Sequence, residues 1–321
     1  MSTSIDTPAI RVSSRRALAL IVAAAFVTIN STQAFADWNP ANPFDRAAAK
    51  WVQLPDLNPT GMDVLDTIQP ISPVPSQWKT LADDFLCTQS GPITDAHIWG
   101  SWLNNVLPTN TAGQPNPGLM QFKLSFWSDV QPNATIPYSH PGNQLWTSVF
   151  QPGQFQVNPN VIPSQESFYD PNLDAIIGTD NAVYQYNFPN LVDASGANFV
   201  QSQGTIYWLE VQAEIFNING VVPATFGWKT ADPTTPPHTY VPPAQYSFMD
   251  DAVFADTAGF NGPNITFWRD MHYPAGHPFA GQSVDLSFVL TVPEPSSIVM
   301  ASLGFVAMVG VAYRRRKKIA S

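Results

Sequence analysis

Ile206-Tyr207-Trp208-Leu209-Glu210-Val211-Gln212-Ala213-Glu214-Ile215 decides the fold class. Tyr207, Leu209, Val211, Ala213 and Ile215 alternate with Trp208, Glu210, Gln212 and Glu214. Successive side chains leave a strand on opposite sides, so this period of two marks a β-strand with one apolar face. The polar partners Glu210 and Glu214 predict that the other face is wet.

Working outward, the same alternation returns three times. Ala96, Ile98 and Trp102 alternate with Asp95, His97 and Ser101; Phe122, Leu124 and Phe126 with Gln121, Lys123 and Ser125; Val284, Leu286, Phe288 and Leu290 with Asp285, Ser287 and Val289. Weaker strand signals occupy 145–150, 182–188, 224–229, 247–254 and 264–268. Proline- and glycine-rich connections fill 108–118, 132–142, 152–163 and 232–243. Proline removes a ladder donor, so these connections are predicted to stay out of central strands. No amphipathic helix pattern appears between Trp78 and Val292. The expectation is an all-β, antiparallel, jelly-roll-like β-sandwich forming one domain over 78–292. Residues 37–77, rich in Pro, Asn and Asp, read as an extended arm packed on that body, with one helical turn around 46–52.

Both ends of the chain carry targeting patterns. Arg11, Arg15 and Arg16 precede the uncharged stretch 17–29, and Ala34-Phe35-Ala36 places small residues two apart. This predicts a signal peptide over 1–36, cut after Ala36, with the Sec machinery and signal peptidase as partners. Ser14-Arg15-Arg16 raises the twin-arginine route, but Ala17-Leu18 lacks the aromatic expected there. At the other end Pro293-Glu294-Pro295 leads into the apolar, uncharged stretch 296–313, and Arg314, Arg315, Arg316, Lys317 and Lys318 follow at once. Eighteen helical residues reach about 27 Å, enough for a single transmembrane helix in a thin bilayer. Five adjacent cations are costly to bury in lipid and stay cytoplasmic, so everything upstream faces outward.

This order of Pro-Glu-Pro, membrane helix and basic cluster over 293–318 resembles the PEP-CTERM sorting signal of Gram-negative bacteria. The resemblance implies recognition by exosortase, a membrane-embedded enzyme, and a transient inner-membrane anchor. The destination it implies is the cell surface or extracellular matrix. A second resemblance rests on Leu81-Ala82-Asp83-Asp84-Phe85-Leu86-Cys87, Ile98-Trp99-Gly100-Ser101-Trp102, Tyr207-Trp208-Leu209-Glu210-Val211-Gln212-Ala213, Phe226-Gly227-Trp228-Lys229-Thr230 and Asp250-Asp251-Ala252-Val253. These are similar to an uncharacterised domain of secreted bacterial proteins, which brings no activity with it.

Charge narrows the function. Residues 37–292 hold six cations (Arg46, Lys50, Lys79, Lys123, Lys229, Arg269) against 22 acids, a net of −16. Such a chain repels nucleic acid and suits a neutral or cationic partner. Cys87 is the only cysteine, so no internal disulfide forms; beside Asp83 and Asp84 it reads as a buried structural thiol. His272 and His277 are the closest histidine pair, and Pro274 between them forbids a zincin helix. No Gly-x-Ser-x-Gly elbow, phosphate loop or dinucleotide fingerprint is present. Glu210 and Glu214 stand about 13 Å apart at strand rise, too far for a glycosidase pair.

Two features remain as candidate sites. The acidic pairs Asp83-Asp84 and Asp250-Asp251 offer hard oxygen ligands for a structural Ca²⁺, or else accept backbone hydrogen bonds at turns. Trp99 and Trp208 fall on the phase assigned to solvent, where an indole stacks on a sugar ring; covered by the 37–77 arm or by loops, they become a second layer of core. The resulting expectation is a non-enzymatic structural or adhesive protein of the cell surface or exopolysaccharide matrix, with no cofactor beyond that calcium. The alternatives are a carbohydrate-binding module using surface tryptophans and a hydrolase of unrecognised type.

Overall fold

The computed structural model of the chain describes residues 38–67, 78–216, 224–232, 252–261, 265 and 267–292, the side chains of 160–164 excepted. The targeting segments at both ends, with Ala34, Ala36, the Pro293-Glu294-Pro295 motif, the apolar stretch 296–313 and the basic cluster, lie outside these residues, as do Asp250 and Asp251. No helix among the described residues is long and apolar enough to cross a membrane.

The described chain is all-β apart from one short helix and a 3₁₀ turn. Helix α1 (Pro43–Ala48) starts where Asn42 accepts the Phe44 amide at 3.0 Å, with Pro43 in the first turn. Strands β1 (Ala49–Gln53) and β2 (Met62–Leu65) follow. The segment expected to be an extended arm therefore contributes two sheet strands among its described residues, and the helical turn lies a few residues earlier than predicted. Its backbone groups find ladder partners in distant strands, which an extended arm would have left to water.

One sheet has six strands in the order β14 (Arg269–Asp270), β13 (Val253–Thr257), β3 (Trp78–Leu86), β11 (Ile206–Ile215), β6 (Met120–Val130) and β7 (His140–Phe150), every pair antiparallel. Strand β11, central in this order, pairs Leu209 with Asp83 on one side and Phe126 on the other. The second sheet runs β1, β15 (Phe288–Thr291), β5 (Asp95–Trp102), β12 (Phe226–Lys229), β2, β8 (Gln156–Asp170) and β9 (Ala175–Phe188). Only its β2–β8 pairing is parallel. A two-stranded ribbon joins β4 (Gly91–Ile93) to β10 (Phe199–Gln201).

The second sheet returns on itself. Ala96, Ile98 and Gly100 of β5 pair with Phe188, Tyr186 and Tyr184 of β9 on one edge, while β15 and β12 take the other edge. Thus β5, β12, β2, β8 and β9 pair in a closed circuit, which leaves less open edge than a flat sheet would. Strand β8 contains Pro159 inside the stretch 152–163 predicted to be connection. There β8 pairs only with β9, so this part of the strand has an open edge, where a residue without an N–H is tolerated.

The inward phase of β11 is as the alternation predicts: Tyr207, Leu209, Val211 and Ala213 join a large apolar cluster with Leu81, Phe85, Phe122, Phe126, Trp228 and Phe288. The opposite phase is not wet. Trp208 and Glu210 have no exposed surface, and Glu214 is half-buried. Trp127, Trp208 and Trp268 form a second apolar layer there with Ala82, Val253 and Ala255.

Candidate functional site: a buried lysine among three carboxylates

The most unusual chemistry of the described residues lies in the closed circuit. Met62 and Val64 of β2 belong to the main core, so Asp63 between them faces the other way; Lys229 does the same beside Trp228 on β12. Asp63 and Lys229 are direct cross-strand partners, and Lys229 Nζ stands 3.3 Å from Asp63 Oδ2. Lys229 also donates a hydrogen bond to Glu166 Oε2 on β8. Asp180 on β9 is the register partner of Glu166. One oxygen from each of Asp63, Glu166 and Asp180 lies within 4.8 Å of the others, and all three residues are buried.

The site is closed around these groups. A Cβ on Gly61 would lie 2.6 Å from Lys229 Nζ and 2.7 Å from Glu166 Oε1; one on Gly227 would lie 2.7 Å from the Phe168 ring. Only glycine fits at either place. Charge in such a setting is expensive unless neutralised. Burial pushes Glu166 up to about 7, against the pull of Lys229, and pushes Asp180 up to about 9. Burial raises Asp63 as well. Burial would lower Lys229, but Asp63 and Glu166 outweigh it and keep the ammonium. Three carboxylates spaced to hold a cation therefore already surround one, the lysine's own.

No local pattern in the sequence pointed to this cluster, because its members are up to 166 residues apart. The signal available was a lysine at the end of the apolar run Phe226-Gly227-Trp228, in a stretch with few cations.

Other sequence-predicted residues fall elsewhere. Asp83 and Asp84 are not on an exposed turn but inside β3, and both are buried. Asp83 shares the phase of Leu81 and Phe85, while Asp84 takes the opposite face, so the two cannot share one cation. Asp83 accepts hydrogen bonds from Gln53 Nε2 at 2.8 Å and from the Leu286 and Asp84 amides. Burial, with Asp285 nearby, holds its carboxyl well above the usual range. Trp99 and Trp208 are 4% and 0% exposed, so neither offers an open face to a sugar. Trp99 packs edge-on against Trp38, from the segment read as an arm, and Trp208 Nε1 donates to Asp129 at 2.9 Å. Cys87 is buried, and burial raises its thiol. His277 Nε2 meets the Thr60 carbonyl oxygen at 3.0 Å, a backbone contact in keeping with a turn residue.

Glu210 anchors a second buried network. It accepts from Lys123 Nζ at 2.8 Å, Trp127 Nε1 at 2.8 Å and Thr80 Oγ1 at 2.9 Å. A third joins Asp256 to Lys79 and Arg269. All four lysines between residues 37 and 292 are buried, Lys50 being the most exposed at 6%.

An all-β, acidic domain with its lysines inside is the class these observations define. Residues 291–317 match the PEP-CTERM protein-sorting motif, which marks an exported, surface-directed protein handled by exosortase. Residues 49–291 match the domain of unknown function DUF7901, and the chain belongs to that family. No curated protein and no solved structure matches the chain significantly.

Proposed function

We propose that this domain is a non-enzymatic structural or adhesive β-sandwich, jelly-roll-like in build, that serves at the cell surface or in the exopolysaccharide matrix. The observation that supports it most is where the positive charges lie. With every lysine of 37–292 buried, the described surface keeps only the half-buried Arg46 and Arg269 as cations, against nine acids that are not buried. Such a surface stays soluble, repels polyanions and suits a neutral or cationic matrix polymer. Export by the Sec machinery, cleavage after Ala36 and a transient inner-membrane anchor through 296–313 complete the route.

Mass spectrometry of the protein recovered from its host tests the route. The mature chain should lack the apolar stretch and Arg314–Lys318, and Glu294→Ala should leave uncut precursor in the membrane fraction. Intact C-terminal peptides in the wild-type cell surface fraction would refute it. Loss of matrix cohesion in a deletion strain, restored by the wild-type chain, would test the adhesive role.

A further inference from the structure

We propose that Lys229 and Asp63 become joined by an intramolecular amide, a self-formed side-chain cross-link between β12 and β2, with Glu166 carrying the proton. Four observations place the reactants. Lys229 and Asp63 are in register on adjacent strands, and Nζ already lies 3.3 Å from Asp63 Oδ2. Glu166 is hydrogen-bonded to the same nitrogen. Both carboxyls and the amine are buried, with Lys229 and Asp63 at 0% exposure. Gly61 and Gly227 let the backbone close over the group so tightly that no side chain could replace them.

The chemistry needs no outside reagent. The resting ammonium passes a proton to Glu166, which leaves a neutral amine. Its lone pair attacks Cγ of Asp63, forming the N–C bond and a tetrahedral centre. One Asp63 oxygen then departs as water, and the amide remains. Both hydrogens of that water come from the original ammonium, one of them by way of Glu166, which ends as it began. An ammonium and a carboxylate are thus converted into an amide and water, with no oxidant or reductant.

The site provides for each step. Glu166, pushed up to about 7 and hydrogen-bonded to Nζ, is the base placed to take the proton, uphill from an ammonium its neighbours stabilise, and to give it back as the bond forms. Asp180, pushed up to about 9, holds its proton and lies within reach of Asp63 to stabilise the oxygen that leaves. The ammonium is the resting form, since Asp63 and Glu166 outweigh burial, but a neutral amide still costs less to bury than two charges. Fixed geometry replaces the encounter that makes such a condensation slow in solution. The product would tie the chain together across 166 residues, in a protein whose lone cysteine forms no internal disulfide.

The test is a peptide map of the full chain, purified folded from its host, denatured and digested. The expected result is a branched peptide joining the segments around Asp63 and Lys229, lighter than their sum by one water, with no tryptic cut after Lys229. Stoichiometric recovery of separate, unmodified peptides would overturn the proposal, as would a branch to Glu166 or Asp180. Glu166→Gln retains both partners but takes no proton. It should yield a folded protein, by circular dichroism, whose two peptides are separate. A branched peptide persisting in Glu166→Gln would overturn the role given to Glu166. The wild-type map decides the link itself even where that variant fails to fold.

Discussion

Replacing Glu210 by alanine separates a structural carboxylate from a solvated one. Glu210 lies on β11 with no exposed surface and holds three donors. Removing it strands Lys123, whose side chain is only 4% exposed, at about 3–5 kcal/mol for a buried charge left unpaired. Trp127 Nε1 also loses its acceptor, a further cost of about 1–3 kcal/mol. Thr80 Oγ1 keeps the Val211 carbonyl at 3.0 Å, so it adds little. These costs share one cavity and are not additive, which makes a total of about 4 kcal/mol a working figure. In urea titrations with m of about 2–3 kcal/mol/M, the midpoint should drop by about 1–2 M at unchanged m. Glu210→Leu combined with Lys123→Met removes both charges and should recover much of that loss. A Glu210→Ala midpoint within experimental error of wild type would mean the carboxylate is wet. The covered second layer on β11 would then be wrong.

Three further expectations follow from the buried charges. Because burial lifts Glu166 to about 7 and Asp180 to about 9, the folded state binds extra protons above about pH 4 and loses stability as pH rises through those values. Burial would raise Asp256, but Lys79 and Arg269 outweigh it and leave it lowered, so its contribution disappears as pH falls below about 4. Melting temperature should therefore peak at about pH 4 and decline toward about pH 9; a profile rising from about pH 5 to 9 would refute the assignments. An amine-reactive ester should label the folded mature protein at its N-terminus and leave Lys50, Lys79, Lys123 and Lys229 unmodified, as mass spectrometry can read. Rapid labelling of Lys79 or Lys123 before unfolding would contradict their burial. Chelation should leave the melting temperature unaltered by way of Asp83 and Asp84, which point to opposite faces of β3. A drop of several degrees that vanished in Asp83→Asn would overturn this.

The elements of the fold were legible wherever one face is apolar. Tyr207 to Ala213 sit inward as their period of two requires. Strand period reports that a strand has two different faces, but not whether the polar one is dry. Trp208 and Glu210 are covered by side chains from β6 and from Trp268, far along the chain, and no local pattern carries that information. The arm reading of 37–77 failed for the same reason: β1 finds its ladder in β15, some 240 residues away, so its short apolar run lacked a visible partner. Pro159 misled because a proline forbids a central strand but not one with an open edge. The lysine cluster was the least legible, since charge in a sequence suggests surface, and here burial follows from pairing across strands.

That pairing has a consequence for how the sheets find their register. Three of the four lysines meet a carboxylate on the neighbouring strand: Lys229 with Asp63, Lys79 with Asp256, and Lys123 with Glu210. The first two are direct register partners, and the third is diagonal, since Lys123 lies opposite Gln212. A slip of one residue would carry each lysine away from its acid and turn a side chain to the other face. In an exposed strand that error costs little. At the two pairs buried on both sides, Lys229 with Asp63 and Lys123 with Glu210, it would leave an ammonium and a carboxylate buried apart, at about 3–5 kcal/mol each, comparable to a large share of a domain's stability. Apolar side chains could fill the same volume with equal or better stability, but they would tolerate neighbouring registers that these pairs forbid. The buried lysines thus supply selectivity among β-pairings, in a chain whose strands are numerous and joined mostly across large sequence distances.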